Sequence, residues 1–88
     1  MRIIGCDVGR RGAACFLDDT NHEFFPLNFP VGTTLGAFEK LVNDLLSTYK
    51  PDAVITGTPV HYYDTIVLHT ALQAIIELLC EKKGIAFT

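Results

Sequence analysis

Asp7 stands two residues before Gly9, and Arg10 and Arg11 lie between Gly9 and Gly12. A carboxylate on a rigid strand beside a glycine turn can hold a divalent cation with little reorganisation. It can equally hydrogen-bond the turn itself. Arg10 and Arg11, at the tip of such a turn, could clamp a phosphate or could simply be solvated. His61 precedes Tyr62 and Tyr63. A histidine there could relay a proton or touch a phosphate, and the tyrosines could stack on bases. The same aromatics could instead close a core edge or a seam between subunits. His69 reads as part of a solvated helix face and His22 as a turn residue. There is no Ser/His/Asp order, Walker loop or dinucleotide fingerprint.

Such groups work only if a scaffold aims them. Ile3 to Val8 is apolar at most positions, the pattern of a strand buried on both faces. Gly9–Gly12 is a tight turn, Ala13 to Leu17 a second strand, and Asp18-Asp19-Thr20-Asn21 a second turn. Glu23 to Phe29 can form a third strand, with Pro26 placing it at a sheet edge or bulge. Together these strands make a three-stranded antiparallel meander. Thr33 or Thr34 can then cap a helix whose apolar residues Leu35, Phe38, Leu41, Val42, Leu45 and Tyr49 recur at helical spacing before Pro51 stops it. Ala53 to Thr56 is a short buried strand. Asp64 or Thr65 can cap a second helix ending at Lys83-Gly84, and Ile85 to Thr88 begins another strand.

The chain has 88 residues, 49% of them hydrophobic and 19% charged, with a net charge of −3. That composition excludes a disordered chain, and the length allows one domain over 1–88. The acidic balance opposes strong generic attraction to nucleic acid while leaving room for a local basic patch. Ile66 to Cys80 is interrupted by His69, Thr70, Gln73 and Glu77, short of the ~20 apolar residues of a membrane span. No signal peptide is visible at Met1-Arg2-Ile3-Ile4-Gly5. Cys6, Cys15 and Cys80 have no Cys-x-x-Cys spacing, which fits a reducing cytoplasm better than a disulfide framework. On the second helix, the apolar residues from Val67 to Leu79 cover roughly 200° of arc, wider than one packing face needs. Packing against the first helix could use this excess. A homodimer formed through the 65–83 helix is the other expectation.

The order β-β-β-α-β-α-β, with Asp7 on its first strand, resembles the ribonuclease-H-like fold: α/β, a mixed sheet with helices packed on it. The run Ile4-Gly5-Cys6-Asp7-Val8-Gly9-Arg10-Arg11-Gly12-Ala13-Ala14 is similar to the opening of RuvC-like Holliday junction resolvases, with Val8 where that family usually has proline. Tyr49-Lys50-Pro51-Asp52-Ala53-Val54-Ile55 resembles their Pro-Asp-led fourth strand, and Lys83-Gly84-Ile85-Ala86-Phe87 resembles the passage from their long helix into the next strand.

The resemblance implies Mg²⁺-dependent cleavage of branched DNA in the cytoplasm. Asp7 would be the catalytic carboxylate and a metal ligand, and Arg10, Arg11 and His61 would contact nucleic acid. The family's second carboxylate ends the fourth strand, where Gly57 and Thr58 stand here, and its remaining acids lie on a later helix. Two residues could substitute as ligands: Glu39, placed like the helix glutamate of ribonuclease H, and Asp64, just past the fourth strand. Glu39 reads otherwise as a solvated helix residue and Asp64 as a helix cap. The short acid set leaves two alternatives open. One is a partial, catalytically inactive member that dimerises or binds nucleic acid. The other is a fragment of the actin-like nucleotide-binding fold, which also opens with a buried-strand aspartate and a glycine turn.

Overall fold

Two tight turns shape the start of the chain in the computed structural model, which describes residues 1–57 and 63–88, with side chains in the second helix described from Val67 onward. β1 (Ile3–Asp7), β2 (Ala13–Leu17) and β3 (His22–Pro26) form the expected antiparallel meander. Asp7 sits opposite Ala13, and Ala13 opposite Pro26. The β2–β3 turn is held by Asp18, whose Oδ1 accepts the backbone N–H groups of Thr20 at 2.8 Å and Asn21 at 2.6 Å. Those bonds to the charged form lower the Asp18 pKa below the usual carboxylate range.

The β1–β2 turn depends on Gly12. A Cβ there would lie 2.7 Å from the Asp7 carbonyl oxygen and overlap the Leu27 carbonyl. Only a residue without a side chain lets these backbones approach. β3 ends at Pro26, earlier than its apolar run to Phe29 predicts. Beyond the proline the chain crosses back over the first turn: the Leu27 N–H donates to the Gly12 carbonyl at 2.9 Å, and the Phe29 N–H to that of Arg10 at 3.2 Å.

α1 (Leu35–Tyr49) starts at Thr34, whose hydroxyl accepts the Ala37 N–H at 3.1 Å. It ends at Lys50, which is left-handed at φ 47° and donates its N–H to the Leu46 carbonyl. Pro51 prevents continuation. β4 (Ala53–Thr56) then pairs parallel with β1, Ile3 opposite Ala53. α2 (Tyr63–Lys83) takes Asp64 and Thr65 into its first turn, so neither is the cap that the sequence suggests. Gly84, at φ 70°, closes α2, and the Ile85 N–H reaches back to the Cys80 carbonyl at 2.9 Å. β5 (Ala86–Phe87) pairs parallel with β4, giving the sheet order β3-β2-β1-β4-β5.

Both helices cover one face of this mixed sheet. Ile4 and Cys6 of β1, Phe16 of β2 and Val54 of β4 pack with Phe38 and Val42 of α1 and Leu72 and Ile76 of α2. Each such large side chain contributes roughly 1.5–3 kcal/mol by leaving water. α1 and α2 also pack on each other, which uses part of the wide apolar arc of α2. Val67, 71% exposed, and Leu78, 50% exposed, remain outside with Ala71 and Ala74 between them at helical spacing.

Candidate functional site

Side chains alternate along a strand, so burial of Ile4 and Cys6 turns Ile3, Gly5 and Asp7 to the opposite, helix-free face. Asp7 is exposed there, at the C-terminal end of the central strand. Its neighbours are small: Gly5 on its own strand, Ala13 opposite and Cys15 next along β2. These residues floor a shallow trough of about 350 Å³, walled by Phe24 on one side and Ile55 on the other, which Asp7 and Gly57 also line. The C-terminal ends of the parallel pair β1 and β4 meet here, the usual position of sites in open α/β sheets.

Two residues of α2 shape this end of the sheet, and both belong by spacing to a polar helix stripe. Gln73 donates its side-chain N–H to the Gly57 carbonyl at 2.7 Å, tying the end of β4 to the helix. His69 is half-buried rather than solvated. Its Nε2 stands 3.1 Å from where a Cβ on Gly9 would be, so the imidazole lies directly against the first turn. The i+4 spacing of His69 and Gln73 is the available signal, but periodicity alone does not tell a face turned to water from one turned to a loop.

Arg10 is drawn back onto the chain. Its guanidinium lies 5.3 Å from the centre of the Phe29 ring and donates to the Phe29 carbonyl at 3.2 Å. A guanidinium has five N–H donors, so this contact leaves others for a phosphate. Arg11 is exposed at the turn. Glu39 is exposed on α1, the helix side of the sheet, whereas Asp7 projects from the open side. Asp64 falls within α2, but its side chain is not among those described, and His61 lies outside the described residues.

Among the described residues no group of three His, Cys, Asp or Glu side chains could hold a metal ion. Mg²⁺ seeks near-octahedral oxygen ligands and is usually held by one or two carboxylates completed by water and substrate phosphates. Asp7 fits a share in one such ion. The described residues do not fit a two-ion cluster. Behind Asp7, Cys6 is buried in the core, and burial, reinforced by the nearby Cys80, pushes its thiol up to about 12. It is a packing residue and offers no thiolate to the site.

Sheet order, helix placement and the aspartate on the central strand define an α/β fold of the ribonuclease-H-like class. Among solved structures, the chain is similar to T. thermophilus RuvC in complex with Holliday junction substrate, with a TM-score of 0.81, 11% identity and 99% of this chain covered. It is also similar to YeaZ from Pseudomonas aeruginosa, with a TM-score of 0.65 and 12% identity over 99% of this chain. The chain spans 62% of the RuvC chain and 42% of the YeaZ chain. No protein-family model and no curated protein matches the sequence. Identities this low show a shared fold. Among the described residues, no helix is long and apolar enough to cross a membrane.

Proposed function

We propose that this protein is a RuvC-like member of the ribonuclease-H-like class that binds branched DNA, with Asp7 as its catalytic and Mg²⁺-binding carboxylate. Its endonuclease activity in this 88-residue form would be weak or absent. One observation carries the reading: Asp7 is presented, exposed, at the C-terminal end of the central strand of a fold superposing on RuvC at a TM-score of 0.81. Arg10 and Arg11 at the adjacent turn are the phosphate contacts, and His61 is a further one. Residues 1–88 act as one partial domain, and three free thiols suit the cytoplasm.

The shortage of carboxylates around Asp7 among the described residues favours a second reading, an inactive module of the same fold that binds DNA or dimerises. The dimer would use the outer stripe of α2, where Val67, Ala71, Ala74 and Leu78 recur at i, i+4, i+7 and i+11. Binding and cleavage of a fluorescent four-way junction, with and without Mg²⁺, test both readings. Tighter binding of the junction than of linear duplex, with Mg²⁺ dependence lost in Asp7→Asn, is the expected result. Equal affinity for both DNAs would overturn DNA-structure recognition. Cleavage abolished by Asp7→Asn would overturn the inactive reading. Sedimentation of the wild type and Leu78→Glu tests the dimer, which predicts loss of a two-copy mass in the variant.

A further inference from the structure

In a chain of net charge −3, no residue from Phe24 to Phe38 carries a charge. A polyanion approaching this segment meets none of its own carboxylates, and Arg10 and Arg11 stand at the turn it crosses. The segment is anchored before it reaches solvent. Leu27 and Phe29 are buried, and the Phe29 ring stands edge-on to Phe38 with centroids 5.8 Å apart. The next four residues make a β-turn: the Thr33 N–H donates to the Pro30 carbonyl at 3.1 Å. Gly32, at φ 91°, has the conformation of the second central residue of a type II turn. Val31 is the first central residue. At 87% it is the most exposed large apolar side chain among the described residues.

A single exposed aliphatic side chain is ordinarily idle. Val31 differs in how it is held and in what stands beside it. It lies two residues beyond Phe29, whose carbonyl accepts from the Arg10 guanidinium at 3.2 Å, so at most roughly 8 Å of backbone separates the apolar tip from a residue in contact with a cation. The branched valine has little χ1 freedom, so little entropy is lost when it is confined. Proteins that enter a base stack combine such an apolar tip with cationic contacts to the flanking phosphates. An intact duplex resists the tip, because each insertion must unstack a step. At a branch point the stack is already interrupted. The tip therefore tells branched from linear DNA, which two arginines that meet only phosphates do not.

We propose that Val31 is a specificity-determining wedge that enters the opened base stack at a DNA branch point while Arg10 and Arg11 hold the flanking phosphates. The proposal rests on the DNA-binding reading above and adds the residue that would select the branch. The test titrates the whole chain at low salt in EDTA, which prevents cleavage, against a four-way junction and a linear duplex of the same base composition. The junction carries 2-aminopurine next to the branch point. In Val31→Ser the ratio of junction to duplex affinity falls about fivefold or more, and Val31→Leu restores it. Arg11→Gln weakens binding to both DNAs and lowers the salt dependence. The 2-aminopurine fluorescence rises when the wild type binds and stays low with Val31→Ser. Val31 is exposed, and circular dichroism verifies the fold of each variant. An affinity ratio unchanged in Val31→Ser, or the same branch-point signal in wild type and variant, overturns the wedge while the DNA-binding reading stands. A wild type that binds junction and duplex equally overturns both.

Discussion

The two faces of the sheet are built from the same strands and differ in what their apolar residues do. On the helix side, Ile4, Phe16 and Val54 interlock with side chains from α1 and α2 and leave water almost completely. On the other side, Cys15, Phe24 and Ile55 carry similar chemistry without a covering layer. Hydrophobicity on the first face stabilises the fold. On the second face it surrounds the one charged outward residue and leaves room for a ligand. The contrast shows why composition alone misleads: an apolar strand residue reports a buried environment only when something packs on it.

Substitutions can break or sharpen this contrast. Phe38→Ala on the covered side should lower unfolding stability by about 3–5 kcal/mol in urea titrations, whereas Phe24→Ala on the open side should stay within about 0.5 kcal/mol. A loss at Phe24 as large as that at Phe38 would mean that both faces are covered in solution. Gly12→Ala forces a methyl group against two backbone carbonyls at the joint between the faces and should cost about 1–3 kcal/mol in the same assay.

The cysteines give a matched pair on adjacent strands. Cys6→Ser places a hydroxyl without a partner in the core, at about 1–3 kcal/mol, while Cys15→Ser on the half-exposed side should fall below about 0.5 kcal/mol. A further effect is alkaline. The Cys6 thiol ionises near its ordinary 9.0 when unfolded and near about 12 when folded. The folded state therefore holds the extra proton between those values, and this thiol's contribution to stability, complete below pH 9, falls as pH rises toward 12. Urea midpoints for the wild type and Cys6→Ala over that window check the sign: the wild type should show the steeper decline.

Much of this arrangement is legible in the residues. The glycine turn after Asp7, the proline at the edge strand, the threonine cap of α1 and the glycine end of α2 each act through local backbone chemistry, so local sequence suffices. The register of Asp7 comes from alternation with Ile4 and Cys6. The features that escape it are tertiary. His69 and Gln73 share a polar spacing, yet one lies against Gly9 and the other holds the Gly57 carbonyl, because the turn and the end of β4 reach α2 only after folding. β3 stops at Pro26 because the next residues bond Gly12 and Arg10 instead, a competition that no apolar count contains. The lack of a cover over Phe24 is equally invisible, since a strand pattern suited to two buried faces looks the same with or without the second layer.

The parallel pairing of β1 with β4 also sets an order of events. Ile3 meets Ala53 only after the intervening polypeptide closes a loop of 53 − 3 = 50 positions, an entropic search slower than zipping a hairpin. The meander should therefore assemble early, with one edge of its first strand waiting for a partner while α1 collapses onto it. During that interval the nascent protein displays an unpaired strand edge beside two greasy surfaces, and crowding by other copies at that moment would favour aggregates over the native sheet.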